Sequence, residues 1–321
     1  MKLVIMIPCL NEEETLPTVF ETMPKTIPGI DEIEILLIDD GCTDGTVEVA
    51  KKLGVKQFVH HTRNQGLSRS FRHGLLRSLE LGADIIVMTE GDNQYKQERI
   101  PELIQPILDG EADVVISDRL TQTIEHFSPS KKFFQRLGTW VLNKAAGTSV
   151  PDAISGFRAY TREAAIQLNP VANYSWATET TIQAARKFQA ISIVPIETNP
   201  KLRESRQFKS SWQHIRKSGI TIVRAFVMYN PYAIFFSISA LLLVLGLIPF
   251  AHYLYAAFVS PKTAYGSHHL QSLIIGTVLL TGAFISFTLG IVADLISINR
   301  MLLEDILTET KRARLDAHRS K

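Results

Sequence analysis

Apolar residues recur along this chain in two different rhythms. In the first 200 residues, short β-branched runs stand at 3–7, 33–38, 84–88 and 113–116. Polar turns separate them from stretches with apolar positions three or four apart, at 46–53, 67–81 and 100–108. The runs predict strands and the spaced stretches predict helices. Their alternation predicts a parallel sheet with helices on both faces. Such sheets bind ligands beyond the carboxyl ends of their strands, so the residues just after each strand are where chemistry is expected.

The second rhythm is almost uninterrupted. From 231 to 293, Lys262 is the only Asp, Glu, Lys or Arg. Two apolar runs, 233–259 and 270–293, are joined by SPKTAYGSHH. Each exceeds the roughly 20 residues that cross a bilayer as a helix. A buried hairpin in a soluble core is the alternative, but buried helices are rarely so long and so uniformly apolar. Ahead of the first run, Phe208, Trp212, Ile215, Val223, Phe226 and Val227 fall near helical spacing, interleaved with Lys209, Arg216, Lys217 and Arg224. That pattern predicts an amphipathic helix lying in a membrane interface.

Composition sharpens this division. The 321 residues are 21% charged with a net charge of +2, yet the mean hydropathy is +0.08. Setting residues 231–293 aside leaves 65 charged among 258, about 25%, as in ordinary soluble domains. The balanced charge gives no signal for nucleic acid. Two cysteines are too few for a disulfide scaffold; Cys9 and Cys42 form no C-x-x-C pair and read as reduced packing residues. Lys and Arg crowd both flanks of the apolar region, from Lys201 to Arg224 and from Arg300 to Lys321, against one in the loop. The excess predicts cytoplasmic termini and an external loop. Met1 to Ile7 leads straight into Pro8 and an acidic run, which does not read as a signal peptide. The expected organisation is a cytosolic domain at 1–206, an amphipathic helix at 207–231, a membrane hairpin at 232–299 and a basic tail at 300–321.

The strand ends carry the candidate chemistry. IPCLNEEETL places Asn11, Glu12 and Glu13 after the first strand, and LLIDDGCTDGT places Asp39, Asp40 and Asp44 after the second. RNQG follows the third, and EGDNQ, with Glu90, Asp92 and Gln94, follows the fourth. Each cluster alone is compatible with turn chemistry, but four at successive strand ends point to a site. Carboxylates suit a phosphate ligand only through a divalent cation, Mg²⁺ or Mn²⁺.

Taken in order, these motifs resemble glycosyltransferase family 2, whose members have the GT-A nucleotide-sugar fold. VPDAISGFRAY, at 150–160, resembles the D-x-x-S-G-F-R segment of the polyprenyl-phosphate branch, which includes dolichol-phosphate mannose synthases and undecaprenyl-phosphate glucosyltransferases. The resemblance covers roughly residues 2–217. It implies an α/β, Rossmann-like GT-A domain followed by the interfacial helix and two transmembrane helices. It implies that Pro8, Asn11, Glu12 and Asp40 surround the nucleotide, with Asp39 supporting the loop. Glu90, Asp92 and Gln94 match D-x-D-x-Q, with Glu replacing the first Asp and Asp92 the first choice as metal ligand.

On the acceptor side, the sequence Ser117-Asp118-Arg119 resembles G-S-R, and Asn143 lies where the family carries Asn. Asp152, Ser155 and Arg158 match D-x-x-S-G-F-R. Arg158 reads either as a phosphate contact or as a structural partner of Asp152 or another acid. Glu179 is expected to orient rather than act as a base. KLRESR resembles G-x-S-K, so Arg203, Ser205 and Arg206 are candidates to hold a lipid phosphate or donor diphosphate, or else form a solvated basic face. His252 and Asp294 read as interfacial or helix–helix contacts.

The implied reaction transfers a hexose from a UDP- or GDP-linked sugar to a polyprenyl phosphate, with inversion, at the cytoplasmic face of a multi-pass inner-membrane protein. A homo-oligomer is compatible with this. Two alternatives stay open. A processive polysaccharide synthase of the same fold commonly carries T-E-D and Q-x-x-R-W, whereas this chain has Thr178-Glu179-Thr180 and no Q-x-x-R-W. A non-catalytic sugar-nucleotide-binding scaffold is the other.

Overall fold

The computed structural model describes residues 1–120, 136, 138–140, 143–144, 147–171, 176–200, 231–259 and 267–319. Its first part is a seven-stranded sheet: β1 (Lys2–Cys9), β2 (Glu32–Asp39), β3 (Gln57–His60), β4 (Ile85–Met88), β5 (Val114–Asp118), β6 (Arg158–Thr161) and β7 (Ile191–Pro195), ordered β3-β2-β1-β4-β6-β5-β7. Strands β1, β2, β3 and β4 run parallel, with Ile7 opposite Leu37 and Val4 opposite Ile86. The sheet is mixed, which corrects the all-parallel expectation. β6 inserts antiparallel between β4 and β5, pairing Met88 with Arg158 and Ile116 with Arg158, and β7 then pairs parallel to β5. β6 is only four residues long, and its central Ala and Tyr carry no β-branched run to announce it.

Helices α1 (Leu16–Glu21), α2 (Thr46–Lys52), α3 (Leu67–Glu80) and α4 (Ile100–Leu108) alternate with the strands. Each begins in the loop that follows a strand. Phe71, Leu75 and Leu79, four apart on α3, bury one stripe against the sheet. Gly74 allows that approach: a Cβ there would lie 2.9 Å from Ile38 Cδ1. The centre of the sheet is a fully buried apolar layer, Leu3 to Ile7, Leu36 to Ile38 and Ile85 to Met88, as expected for strands covered on both faces. Helices α5 (Arg162–Gln167) and α6 (Trp176–Arg186) follow β6.

The last two helices are α7 (Pro231–Val259) and α8 (Ser267–Arg319). Both are long and apolar enough to cross a membrane, and only 11% and 17% of their most apolar windows are buried. That low burial does not fit the alternative of a soluble core hairpin. Within the hairpin, Ser239 Oγ donates to the Ala283 carbonyl at 2.8 Å, and a Cβ on Gly276 would lie 3.1 Å from the Gly246 carbonyl oxygen. The chain divides into two compact units, and the helical pair ends at Leu303; Glu304–Lys321 belongs with the sheet. The residues expected to form a basic tail are the end of α8 instead. There Leu315 is buried, Lys311 Nζ donates to the Leu168 carbonyl at 2.7 Å, and Arg314 meets Glu80 at 2.8 Å.

Candidate active site

The loops after β1 and β2 are woven together through short polar side chains. Asn11 adopts a left-handed backbone (φ 59°), which Asn tolerates better than most residues. Its side-chain oxygen accepts the Thr43 N–H at 2.7 Å, and its own N–H donates to Cys42 Sγ at 3.3 Å. The Glu12 N–H donates to Thr46 Oγ1 at 2.8 Å. Glu13 accepts the N–H of Gly45. Pro8 is buried at the end of β1 beside this loop. Cys42 Sγ donates to the Cys9 carbonyl, and burial pushes its thiol up to about 11. Cys9 is fully buried, and both cysteines are free thiols.

The two aspartates after β2 have different duties. Asp39 accepts the Cys42 N–H at 2.7 Å and lies 3.0 Å from His60 Nδ1. Burial pushes its carboxyl up, but these partners bring it below the usual carboxylate range. Asp40 is turned inward. It accepts the N–H groups of Gln65 and Gly66 at 2.8 and 2.9 Å and contacts His61 Nδ1 at 2.8 Å. His61 Nε2 in turn lies 2.8 Å from His73 Nδ1. Asp40 therefore fastens the RNQG turn. His61 and His73 had no signal in the sequence beyond their positions in and near that turn.

After β4 the carboxylates gather. Burial, then the neighbouring Asp92, push the Glu90 carboxyl up to about 7; Glu12 adds to the rise and Arg119 opposes it. Asp92 Oδ1 accepts the Gln94 N–H at 3.0 Å. Thr15 Oγ1 bridges Glu12 Oε2 (3.0 Å) and the Gly91 carbonyl (2.7 Å), tying the first loop to the fourth. Tyr95 stacks on Phe157, and its hydroxyl oxygen accepts the Gly156 N–H at 2.9 Å. Gly156 packs directly against the Glu90 carboxylate: a Cβ there would lie 2.6 Å from Glu90 Oε1, which would have to shift.

Arg119 comes to this cluster from the end of β5. Asp152 holds its guanidinium at two points, Nε to Oδ2 at 2.6 Å and Nη2 to Oδ1 at 3.0 Å. Asp152 is almost wholly buried, as is Ser155, whose hydroxyl meets Ser117 Oγ at 2.7 Å. Both side chains are engaged by these buried partners. Arg158 is buried as completely. It is 0% exposed and donates to the carbonyls of Ser155, Ala177 and Ala153 and to the hydroxyls of Thr180 and Thr181. Its guanidinium lies 5.4 Å from the Trp176 ring centre. It knits β6 to α6, while Asp152 pairs with Arg119 instead. Glu179 is also buried and accepts the Val171 N–H at 2.9 Å. The Asn143 side chain braces the turn before the D-x-x-S-G-F-R segment by donating to the Val150 carbonyl at 2.9 Å. Arg203, Ser205, Arg206 and the amphipathic helix lie outside the described residues.

Among the described residues, no three His, Cys, Asp or Glu side chains converge as a closed metal cage. The oxygen-only pair of Glu90 and Asp92, with Glu12 close enough to raise the Glu90 carboxyl, nevertheless fits a hard divalent cation. Mg²⁺-like ions are commonly held by one or two carboxylates together with substrate phosphates and water.

A GT-A sheet with acidic loops at its parallel strand ends defines the class, a glycosyltransferase. The chain belongs to glycosyltransferase family 2, whose pattern matches residues 4–168. It is 27% identical over 206 residues to an undecaprenyl-phosphate mannosyltransferase of Micrococcus luteus, covering 61% of this chain and 83% of that one. It is 30% identical over 182 residues to a dolichol-phosphate mannosyltransferase of Pyrococcus furiosus, covering 53% and 50%. Among solved structures, glucosyl-3-phosphoglycerate synthase from Mycobacterium tuberculosis in complex with Mn²⁺, UDP-glucose and phosphoglyceric acid superposes with a TM-score of 0.54 at 20% identity, over 70% of this chain and 78% of that one. That likeness establishes the fold.

Proposed function

We propose that this protein is a membrane-anchored, inverting glycosyltransferase that moves a hexose from a nucleoside-diphosphate sugar to a polyprenyl phosphate at the cytoplasmic membrane face. The observation that carries this reading is the acidic loop after β4, where Glu90 is crowded by Asp92 and Thr15 ties Gly91 to Glu12, in a chain with two span-length apolar helices. The names of the relatives in Micrococcus luteus and Pyrococcus furiosus support the acceptor class.

Pro8, Asn11, Glu12 and the Asp39-braced loop would bound the nucleotide. Asp92 and Glu90 would hold Mg²⁺ or Mn²⁺ against the donor diphosphate, with Gln94 closing the loop behind them. When bound, the cation offsets negative charge on the departing nucleoside diphosphate. The acceptor phosphate is already anionic, so the chain need not supply a strong base. Its task is alignment, and Arg119, locked by Asp152, is a fixed positive charge suited to that. Basic flanks on both sides of the apolar region support cytoplasmic termini.

The test is incubation of the purified full chain with polyprenyl phosphate, Mg²⁺ or Mn²⁺, and labelled UDP-glucose, UDP-GlcNAc or GDP-mannose. Label in the organic-extractable lipid from one donor is the expected result; no lipid label from any donor refutes the reading. Asp92→Asn should abolish transfer in a folded, membrane-bound protein. Turnover like that of the natural chain would remove Asp92 from the cation site.

A further inference from the structure

Residues 197–199, just after β7, lie along the loop that carries Asp92. Tyr95 and Thr198 form an isolated antiparallel bridge. The Asn199 N–H donates to the Gln94 carbonyl at 2.9 Å. Its side-chain Nδ2 donates to the Asn93 carbonyl at 3.0 Å and lies 3.5 Å from Asn93 Oδ1. Lys96 Nζ meets Glu197 at 3.1 Å. Pro200 follows, and a residue before proline favours the extended backbone that lets a strap pair with a neighbouring loop.

The loop needs such a tie. Asn93 sits at φ 57°, a left-handed conformation that Asn tolerates better than most residues but that the ordinary helical and extended wells still outcompete. The direction of Asp92 depends on that turn, because its Oδ1 is fixed by the Gln94 N–H two residues further on. Asn199 bonds both residues of the turn, Asn93 and Gln94, from outside. The Lys96–Glu197 pair is largely exposed on the Glu197 side, and such pairs contribute little.

We propose that Asn199 is a positioning residue: it holds the Asn93–Gln94 turn so that Asp92 is aimed before the cation and donor arrive. This rests on the reading of Asp92 as a cation ligand. It also means that the segment leading into KLRESR is stitched to the donor side of the site.

The experiment titrates the full chain in detergent with Mn²⁺, alone and with UDP or GDP, following free Mn²⁺ by electron paramagnetic resonance. Asn199→Ala should weaken Mn²⁺ binding about tenfold, as loss of an outer-sphere support does. In the transfer assay, excess Mn²⁺ should restore its rate while the acceptor KM stays unchanged. Asn199→Asp keeps the backbone bond but replaces the amide donor with a carboxylate facing the Asn93 carbonyl; it should show at least the same weakening, and it decides the matter if the alanine variant does not fold. Mn²⁺ affinity within about twofold of the natural chain, or a rate that excess Mn²⁺ cannot restore, overturns the proposal. Asp92→Asn in the same titration separates the two readings. If it binds Mn²⁺ normally, the cation site is wrong; if it loses Mn²⁺ and Asn199→Ala does not, only the role of Asn199 falls.

Discussion

At the scale of single residues, the site is a problem of like charges. Glu90 is pushed up to about 7 from an ordinary value of 4.5 by burial and by Asp92. A carboxyl raised in the folded state binds its proton more tightly there than in the unfolded chain. Stability therefore falls as pH rises from 4.5 through about 7, and levels off above. In the metal-free protein, the melting temperature should decline across that window, and Glu90→Gln should flatten the decline. Added Mn²⁺ should stabilise more above the window than below it, because the cation replaces the proton. A melting temperature flat across the window in the natural chain would contradict the buried, crowded setting of Glu90. The sequence shows both acids but not their crowding, since Tyr95, Gly156 and Arg119 come to the cluster from three separate segments.

At the scale of elements, Arg158 shows how a motif residue can serve the scaffold. Its donors reach three carbonyls and two hydroxyls at the junction of β6 and α6. Arg158→Met keeps much of the volume but leaves those buried acceptors unpaired, at a cost of about 3 kcal/mol. Chemical denaturation should register that loss, with any fall in activity following the loss of folded protein. A variant of natural stability with a raised acceptor KM would return Arg158 to the phosphate. The sequence left both readings open because Arg offers the same five donors to either. The parallel strands were legible for the opposite reason: Leu3 to Ile7, Leu36 to Ile38 and Ile85 to Met88 are buried on both faces and so read as unbroken apolar runs. β6 was not, because Arg158 and Thr161 give it a polar start and end. The candidate site was legible where chemistry clusters locally, at Asn11–Glu12 and Glu90–Asp92, and illegible where support crosses the fold, as with His61 beneath Asp40 and Asn199 beside Asn93.

At the scale of the whole molecule, charge and length interact in α8. A 53-residue helix extends about 80 Å, against a hydrocarbon core of about 30 Å. The sequence marks where its charges resume, and on that pattern residues 300–321 read as a basic tail. Periodicity alone does not say that those charges have addresses. Thr308 Oγ1 lies 3.3 Å from Asn169 Nδ2, Lys311 meets the carbonyls at the end of α5, Arg312 pairs with Glu163 and Arg314 with Glu80. Leu315, 2% exposed, is buried between them. The surface ion pairs contribute little individually, so the docked leucine and the buried polar contacts must hold the helix end. Leu315→Asp places a carboxylate in that apolar position and should destabilise the sheet-bearing unit by about 3 kcal/mol, through lost burial and an unpaired buried charge. Asp316→Ala, at an exposed position in the last turns of α8, should leave stability unchanged. Chemical denaturation of both full-length variants decides the point. Equal stability would mean that the end of α8 is a solvated basic tail after all, whereas the expected loss makes it a structural part of the catalytic unit.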